Sequence, residues 1–382
     1  MALPSPPKPA KISRLSPSTY EAARLCKART AWLVFGERNA LPESPSAILG
    51  SCFHELAAAA QSGQFRNTVD ALETQARRRF DEEAEKRFAQ AHEMFKAKFG
   101  TKERLPYYYM QREAAVALVR KLSEESSYVS IRHAETPKTA SRPIEQSLKS
   151  KDGLLSGRPD LIAASVGEVV DYKTRRESAD APNEVTEREA RQLRLYAYLA
   201  DENEIKIRRG VIILASGRQL TIDISAKEAQ AEAHIAVDAL HSYNAVIGDK
   251  TTFEEIAEPS PENCRYCPCI MLCEPFWQQA DNSWQEYVGT QVQGRLTSVS
   301  KANVQGMNLV TMHLNEVRGT ISNSIDVVLE QVPEDWLLGG LGASLTPGTL
   351  VRIINAYAVA GTLDRTILRA DRAATEVWIA DR

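Results

Sequence analysis

Two aspartates and a lysine lie at the ends of two short aliphatic runs in the stretch "SGRPDLIAASVGEVVDYKTRR". Asp160 follows a proline, and Asp171 stands two residues before Lys173. Carboxylate oxygens are hard ligands that suit Mg²⁺ or Mn²⁺, which keep several waters and also bind phosphate oxygens. Such a metal lowers the pKa of a bound water, and a nearby lysine stabilises developing negative charge. The three residues therefore indicate metal-assisted phosphodiester hydrolysis.

The aliphatic runs predict a hairpin that positions these side chains. Leu154–Ala164 and Val169–Lys173 have the composition of strands, and Gly167 supplies the positive φ that a tight turn between them needs. With the turn centred just before Gly167, Asp160 lies opposite Lys173, and both aspartates project to the face that carries the lysine. The alternative is a solvent-exposed hairpin with a weak Asp–Lys pair. The aliphatic flanks favour a buried pair of strands instead.

Two further motifs accompany the hairpin: a G-x-x-x-H pattern at Gly50–His54 and a Q-x-x-x-Y pattern at Gln192–Tyr196. Together with Gly157, Pro159-Asp160 and Asp171-Tyr172-Lys173-Thr174, they resemble the PD-(D/E)XK nucleases, in the branch around the RecB-type exonucleases. The resemblance covers roughly residues 15–277. It implies an α/β, restriction-endonuclease-like nuclease core with a helical N-terminal part.

The resemblance also implies a role for each matched residue. By this resemblance the catalytic residues are Asp160, Asp171 and Lys173. The two aspartates bind Mg²⁺ or Mn²⁺, and His54 is its third ligand. Gln192 and Tyr196 contact DNA. Residues 47–60 predict a helix with Ser44 or Ser46 as N-cap, so His54 is expected on a helix, where a lone histidine is more often structural. Gln192 and Tyr196 are four residues apart on one helix face, where packing is the alternative role.

Four of the six cysteines cluster in "CRYCPCIMLC". Cys264, Cys267 and Cys273 offer three thiolates, and Cys269 would complete a four-cysteine zinc knuckle. The resemblance implies another arrangement, since RecB-like nucleases of the AddB and CRISPR-associated types place one cysteine before the core and three after it. Cys26, Cys264, Cys267 and Cys273 match that layout and imply a [4Fe–4S] cluster that joins the two ends of the nuclease domain. Free thiols are a third possibility, and Cys52 is expected to be a small core residue.

Length and charge limit the class of protein. The chain has 382 residues, which suits about two domains, and its formal charge of −3 excludes a uniformly basic DNA-coating protein. The N-terminus lacks the apolar core of a signal peptide, and no run approaches about 18 apolar residues, so we expect a cytoplasmic protein without a membrane partner. The sequence has no G-x-x-x-x-G-K-[ST] phosphate loop. The resemblance implies a separate helicase or a defence or CRISPR-type protein as partner.

Composition divides the chain into three segments. Residues 1–14 are Pro-rich and predicted to be disordered, residues 15–280 form the nuclease domain with its cysteine staple, and residues 286–382 form a small all-β domain. Five β-branched runs in that last segment match the strand plan of an OB-fold barrel, which binds single strands or docks a protein. Tyr357 and Trp378 are its candidate aromatics. Glu145 is a possible extra acidic ligand, and Arg77-Arg78-Arg79 belongs to a solvated face or a DNA-entry arch.

These predictions combine into one function and one alternative. The function is a metal-dependent deoxyribonuclease, an exonuclease on single-stranded DNA or free ends, stabilised by an iron–sulfur cluster and acting in DNA repair, recombination or defence. The alternative is a catalytically inactive nuclease-fold subunit that binds DNA or supports assembly and carries a structural zinc site. A zinc-stapled interaction protein would leave the Asp-Asp-Lys face without a role.

Overall fold

The N-terminal part of the protein is helical. A computed structural model describes residues 3–37, 39–65, 69–132, 147–175, 184–337, 345–362 and 365–380. The helices that precede the first strand are α1 (Pro17–Leu25), α2 (Lys27–Phe35), α3 (Pro45–Gln61), α4 (Val69–Gln90), α5 (Glu93–Phe99) and α6 (Tyr108–Arg132). Glu145, the possible extra ligand, lies outside the described residues.

Local sequence determines where the first helices begin. Ser16 and Thr19 form a capping box at the start of α1, so that their side chains satisfy backbone N–H groups that the helix leaves unpaired. Ser44 caps α3 in the same way, because its hydroxyl accepts a hydrogen bond from the Ala47 N–H at 3.2 Å. Proline follows each cap, at a position where its missing N–H costs nothing. The predicted helix that carries His54 and its Ser44 cap are confirmed.

A four-stranded sheet follows the helices. Its strands, in spatial order, are β3 (Leu161–Ala163), β4 (Glu168–Lys173), β5 (Arg209–Leu214) and β6 (Gln219–Asp223). Strands β4 and β5 are parallel and are joined through helix α7 (Glu187–Glu202), whereas the outer pairs are antiparallel. A separate short pair precedes it, made of β1 (Leu148–Lys149) and β2 (Ser156–Gly157).

The hairpin register differs from the sequence prediction by two residues. Leu161 pairs with Val170, and Ala163 pairs with Glu168, so the turn is longer than expected. The predicted pairing of Asp160 with Lys173 is therefore wrong. The difference is even, and alternate residues of a strand share a face, so the side of the sheet to which each residue projects is unchanged. Gly167 has the predicted positive φ, 71°.

Helices cover both faces of this sheet. Val170 and Tyr172 pack on α3, α4 and α6, in a cluster that also holds the buried Cys52. Val169 and Ile212 project to the opposite face, where they pack with α7 and with α8 (Ala226–Ala245). Because Asp171 and Lys173 alternate with Tyr172, they project to the α7 face. The expected core position of Cys52 is confirmed, with 0% exposure.

Three short helices connect the four-stranded sheet and its helices to a second sheet. They are α9 (Pro261–Cys264), α10 (Glu274–Gln279) and α11 (Gln285–Val288). The strands that follow are β7 (Thr290–Val304), β8 (Met307–Gly319), β9 (Asp326–Pro333), β10 (Leu350–Thr362), β11 (Arg365–Arg369) and β12 (Glu376–Ile379), which form one six-stranded sheet.

The pairings in this sheet return to their starting strand. From β7 they run through β8 and β9 to β11, then to β10, which pairs again with β7. The contact between β9 and β11 is parallel, and the other four are antiparallel. Strand β12 adds to β10. Apolar side chains of these strands, including Val310, Leu329 and Ile353, form a core of their own.

The second sheet is attached to the preceding part of the protein by buried polar contacts. Arg352 on β10 is 5% exposed and donates to the Met271 carbonyl at 2.6 Å and to the Gln293 side chain at 2.7 Å. It also pairs with Glu274 and lies over the Trp277 ring, 5.2 Å from its centroid. Arg352 therefore joins the second sheet to the chain segment that carries the cysteine cluster.

The N-terminal segment has defined contacts. Residues 1–14 were predicted to be disordered, but Ile12 is buried and donates its backbone N–H to the Asn244 side chain on α8 at 2.9 Å. The Leu3 N–H donates to the Ile379 carbonyl beside the second sheet. Among the described helices, none combines the length and apolar character needed to cross a membrane.

Candidate active site

The end of β4 brings a buried carboxylate and a lysine together. Asp171 is 3% exposed, and its Oδ2 lies 2.6 Å from the Lys173 Nζ. Its Oδ1 accepts a hydrogen bond from the Gln192 Nε2 on α7 at 2.9 Å. Within the described residues, Oδ2 is buried and accepts no hydrogen bond of normal geometry. One oxygen of Asp171 is thus oriented by α7, while the other keeps a free lone pair beside the ammonium.

Asp160 is held at the start of β3 by two different partners. Its Oδ2 accepts a hydrogen bond from the Tyr172 backbone N–H at 2.7 Å, and its Oδ1 lies 3.1 Å from the His54 Nδ1. Helix α3 delivers His54 to this position. The first residue of the same motif, Gly50, contacts the end of β4, where an added Cβ would lie 3.2 Å from the Thr174 hydroxyl. The G-x-x-x-H motif therefore combines close helix packing with the placement of the histidine one turn later.

The second motif connects α7 to the same point. Gln192 accepts a hydrogen bond from the Lys173 Nζ at 3.0 Å, and its Nε2 is 3.3 Å from the Tyr196 hydroxyl. Tyr196 is 7% exposed. Burial raises the pKa of Tyr196, and the negative charge of Asp171 adds to that effect. The structure thus brings together all six residues that the sequence proposed for this site: His54, Asp160, Asp171, Lys173, Gln192 and Tyr196.

The electrostatics of the site follow from burial and from the charges within it. Burial raises the pKa of Asp171 to about 6, with the Lys173 charge acting against that rise and the Asp160 charge adding to it. Burial by itself lowers the pKa of His54, but the hydrogen bond and charge of Asp160 outweigh burial, so the pKa is raised. Negative charge is therefore concentrated where a cation would neutralise it.

The donor chemistry of this site fits a hard divalent cation. Two carboxylates and one imidazole lie close together, and Asp171 Oδ2 is a buried acceptor that has the Lys173 ammonium beside it and keeps a lone pair for a cation. His54 and Asp160 contact each other rather than a common point. Within the described part of the chain, no group of three His, Cys, Asp or Glu side chains is already arranged around a metal position.

The sequence motifs include Gly157 but do not predict what it contacts, and they do not point to Gln111. An added Cβ at Gly157 would lie 2.9 Å from the Tyr196 ring and 3.0 Å from the Leu199 side chain, so this glycine lets α7 approach closely. Gln111 on α6 donates to the Thr174 carbonyl at 3.5 Å. No local pattern marks either contact, because both depend on residues far away along the chain.

Comparison with known proteins agrees with this geometry. Residues 14–274 match the family model of the PD-(D/E)XK nuclease superfamily. The chain belongs to the PD-(D/E)XK nuclease superfamily. A solved structure described as "Crystal structure of SSO0001" has 16% sequence identity and a TM-score of 0.23, covering 44% of this chain and 78% of that chain. A search of the curated proteins finds no match.

The cysteines of this PD-(D/E)XK protein meet at a second location. One small cavity is lined by the five cysteines that the sequence singled out for a metal or cluster: Cys26, Cys264, Cys267, Cys269 and Cys273. The Cys267 and Cys269 sulfurs are 3.6 Å apart. The structure therefore brings the N-terminal cysteine to the C-terminal group, and it places Cys269 beside the four predicted ligands.

Burial and a nearby cation act on these thiols in opposite directions. Burial raises the pKa of Cys264 and of Cys273 to about 12. The hydrogen bond from Cys269 lowers the pKa of Cys267. The positive charge of Arg29 acts on Cys264 and Cys267 in the lowering direction. Arg29 therefore favours the thiolate form of these two cysteines, and burial opposes it.

The structure bears on two other sequence interpretations. Trp378, a candidate ligand-facing aromatic, is fully buried against the nuclease core, so that interpretation is wrong. Tyr357 is 50% exposed. Arg77 and Arg79 pair with Glu113 and Glu55. These pairs agree with the solvated-face reading of the arginine run rather than with a basic arch.

Proposed function

We propose that this protein is a metal-dependent deoxyribonuclease that acts as an exonuclease on single-stranded DNA or free ends. The observation that carries the proposal is the network at the end of β4, in which Asp171 contacts both Lys173 and Gln192. Membership of a nuclease superfamily supports phosphodiester hydrolysis. The complete set of polar residues argues against the alternative of an inactive subunit, since loss of catalysis commonly removes one of them.

Asp160, Asp171 and His54 are the residues that would hold Mg²⁺ or Mn²⁺. When bound, such an ion lowers the pKa of a coordinated water and neutralises charge on the phosphate. The free lone pair of Asp171 Oδ2 supports this assignment. Asp160 is already oriented by the Tyr172 N–H, so little reorganisation of that carboxylate is needed.

Lys173 and Gln192 act through position and charge. The Lys173 ammonium contacts both Asp171 and the Gln192 side-chain oxygen, and these two contacts fix its position beside the carboxylates. A positive charge held there stabilises the negative charge that develops on a phosphate oxygen. Gln192 orients Asp171 and Lys173 at once, since its amide donates to one and accepts from the other.

We also propose that Cys26, Cys264, Cys267 and Cys273 bind a [4Fe–4S] cluster. The shared cavity supports this, because thiols from both ends of the nuclease domain line it. The cluster would act as a staple, and the free energy of binding it would become folding free energy. Cys269 lines the same cavity, so a zinc site that uses Cys269 is the competing arrangement. Metal analysis of purified protein separates the two.

We infer that the C-terminal sheet is an OB-like barrel. The closed circuit of strand pairings, with its one parallel contact between β9 and β11, supports this inference. Docking against a protein partner is favoured over single-strand binding, since Trp378 is buried and the exposed aromatics of the described segment are limited to Tyr287 and Tyr357. A helicase, the partner that the family resemblance implies, is a protein of this kind.

One experiment tests the proposed activity. End-labelled single-stranded DNA, a duplex of the same sequence and a circular single strand are incubated with the protein and Mg²⁺ or Mn²⁺, and the products are separated on a denaturing gel. We expect metal-dependent loss of the linear single strand, inhibition by a chelator and an intact circle. Cleavage of the circle would replace the exonuclease with an endonuclease. Binding without any cleavage would favour the inactive subunit.

A further inference from the structure

The Arg29 side chain lies at the cysteine cavity with most of its guanidinium unpaired. Arg29 is on α2, three residues after Cys26, and it lines the cavity together with the five cysteines. Its Nε and Nη1 are buried and, within the described residues, have no hydrogen-bond partner. The Nη2 donates to the Tyr266 carbonyl at 3.4 Å. Two donors of a permanent cation are therefore directed into buried space without an acceptor.

Buried donors of a cation that lack an acceptor are unfavourable. The charged groups around Arg29 therefore indicate which acceptor these donors could bind. Lys27, two residues earlier, pairs with Glu258 at 2.6 Å. In the described part of the chain, no carboxylate forms such a pair with Arg29. The Glu258 carboxylate also accepts a hydrogen bond from the Lys27 backbone N–H at 3.2 Å, so it serves the N-terminus of α2 and the Lys27 ammonium. The described residues that line the cavity include no carboxylate, so the thiols are the groups there that can supply negative charge to Arg29.

We propose that Arg29 is the charge partner of an anionic cluster in this cavity, donating hydrogen bonds from Nε and Nη1 to sulfur atoms. The inference rests on the proposed [4Fe–4S] cofactor and concerns one residue of this chain. Four thiolates give such a cluster a net negative charge. Hydrogen bonds to its sulfurs and the charge around it set its reduction potential. Arg29 is thus a positioning residue that stabilises the bound cluster and keeps its potential high.

A matched control lies in the same segment. Arg265 stands between Cys264 and Cys267, but its side chain is exposed and lies over the Tyr266 ring, 5.1 Å from the centroid. Replacing Arg265 removes the same formal charge close to two candidate ligands without touching the buried donors. Any effect specific to Arg29 therefore reports on hydrogen bonding and burial, not on net charge alone.

The experiment compares wild-type protein with Arg29→Gln, Arg29→Lys and Arg265→Gln, all purified without oxygen. Three properties are measured: iron and sulfide per chain, the rate at which a chelator removes iron, and the midpoint potential of the cluster. We expect Arg29→Gln to lose iron at least tenfold faster. We also expect the equilibrium constant for one-electron reduction of its cluster to be about tenfold lower, which corresponds to a midpoint potential about 59 mV lower. Arg29→Lys keeps the charge and should fall between, and Arg265→Gln should match wild type.

The outcomes separate this inference from the cofactor proposal. Wild-type protein that holds zinc or no metal overturns the iron–sulfur proposal, and the inference falls with it. Iron-loaded wild type whose potential and iron loss are the same in Arg29→Gln as in Arg265→Gln overturns the role of Arg29 alone. If Arg29→Gln does not fold, an Arg29→Lys protein indistinguishable from wild type in all three properties would also contradict hydrogen bonding by the guanidinium.

Discussion

Asp160 and Tyr172 are joined by a hydrogen bond of 2.7 Å from the Tyr172 backbone N–H to the Asp160 carboxylate. Because the second oxygen of Asp160 contacts His54, both oxygens have fixed directions before any ligand arrives. The bond also ties the start of β3 to β4, next to Asp171. A site arranged in this way loses little free energy to reorganisation when charge develops on a substrate.

The first prediction concerns Gln192, which contacts both Asp171 and Lys173. We expect Gln192→Ala to lower the rate of DNA cleavage by about 10–100-fold, the usual cost of losing a residue that orients a metal ligand. The fold should be unchanged, as measured by circular dichroism. Arg188, exposed on the same helix, provides the control. Equal losses in Arg188→Ala and Gln192→Ala would mean that the helix contributes only through general charge or packing.

The second prediction concerns the close approach of α7 to Gly157. A methyl group there would meet the Tyr196 ring at 2.9 Å, and overpacking of this kind costs about 1–3 kcal/mol. We expect Gly157→Ala to lower the free energy of unfolding by that amount in urea titrations and to reduce cleavage as Tyr196 shifts. Gly248 has no such neighbour, since its added Cβ would lie 3.7 Å from Thr251. Gly248→Ala should therefore be close to neutral, and a Gly157→Ala protein as stable as Gly248→Ala would contradict the packing argument.

The third prediction concerns the attachment of the second sheet. Arg352→Met removes the donor to Met271 and Gln293 and leaves buried acceptors unpaired, at a cost of about 1–3 kcal/mol. We expect a lower melting temperature and faster protease cleavage between residues 280 and 290. Arg369 on β11 is exposed, so Arg369→Met is the matched control. Unchanged proteolysis in Arg352→Met would show that the attachment does not depend on this residue.

The fourth prediction separates the two arrangements of the cysteine site. If Cys26 is a cluster ligand, Cys26→Ser should lose the broad absorption near 400 nm as completely as Cys273→Ser does, and should unfold more easily. Cys269→Ser should keep the colour. Colourless protein with one zinc per chain, retained after Cys26→Ser and lost after Cys269→Ser, would instead establish a local zinc site.

The proposed site residues come together in the structure although the predicted hairpin register was wrong. The hairpin register was predicted two residues away from the observed pairing of Leu161 with Val170, yet an even difference leaves every side chain on its own face. The cap and bounds of α3 also follow from local signals, namely Ser44, Pro45 and the apolar run. These features depend on neighbours in the chain, and local pattern is enough to predict them.

The features that the sequence did not predict depend on contacts between residues that are far apart along the chain. Nothing near Gly157 reveals that Tyr196 packs on it, and nothing near Trp378 reveals that the nuclease core buries it. The proline-rich start of the chain predicted disorder from composition, but Ile12 is held by Asn244 on α8. The sequence also gives no indication that Arg29 has buried donors without an acceptor, because that property depends on how the folded chain places Arg29 beside the cysteines.

Cleavage by the Asp171→Asn protein decides whether this site is the metal-dependent nuclease centre. The substitution keeps the shape of the side chain but removes the negative charge and gives one of the two terminal positions to an amide nitrogen, so it removes a hard metal ligand. Wild type and variant are compared on end-labelled single-stranded DNA with Mg²⁺ or Mn²⁺, with circular dichroism and DNA binding as checks on the fold. We predict that the variant binds DNA and folds like wild type while its cleavage falls below detection. Cleavage by Asp171→Asn at the wild-type rate would contradict the assignment of this site as the metal-dependent nuclease centre.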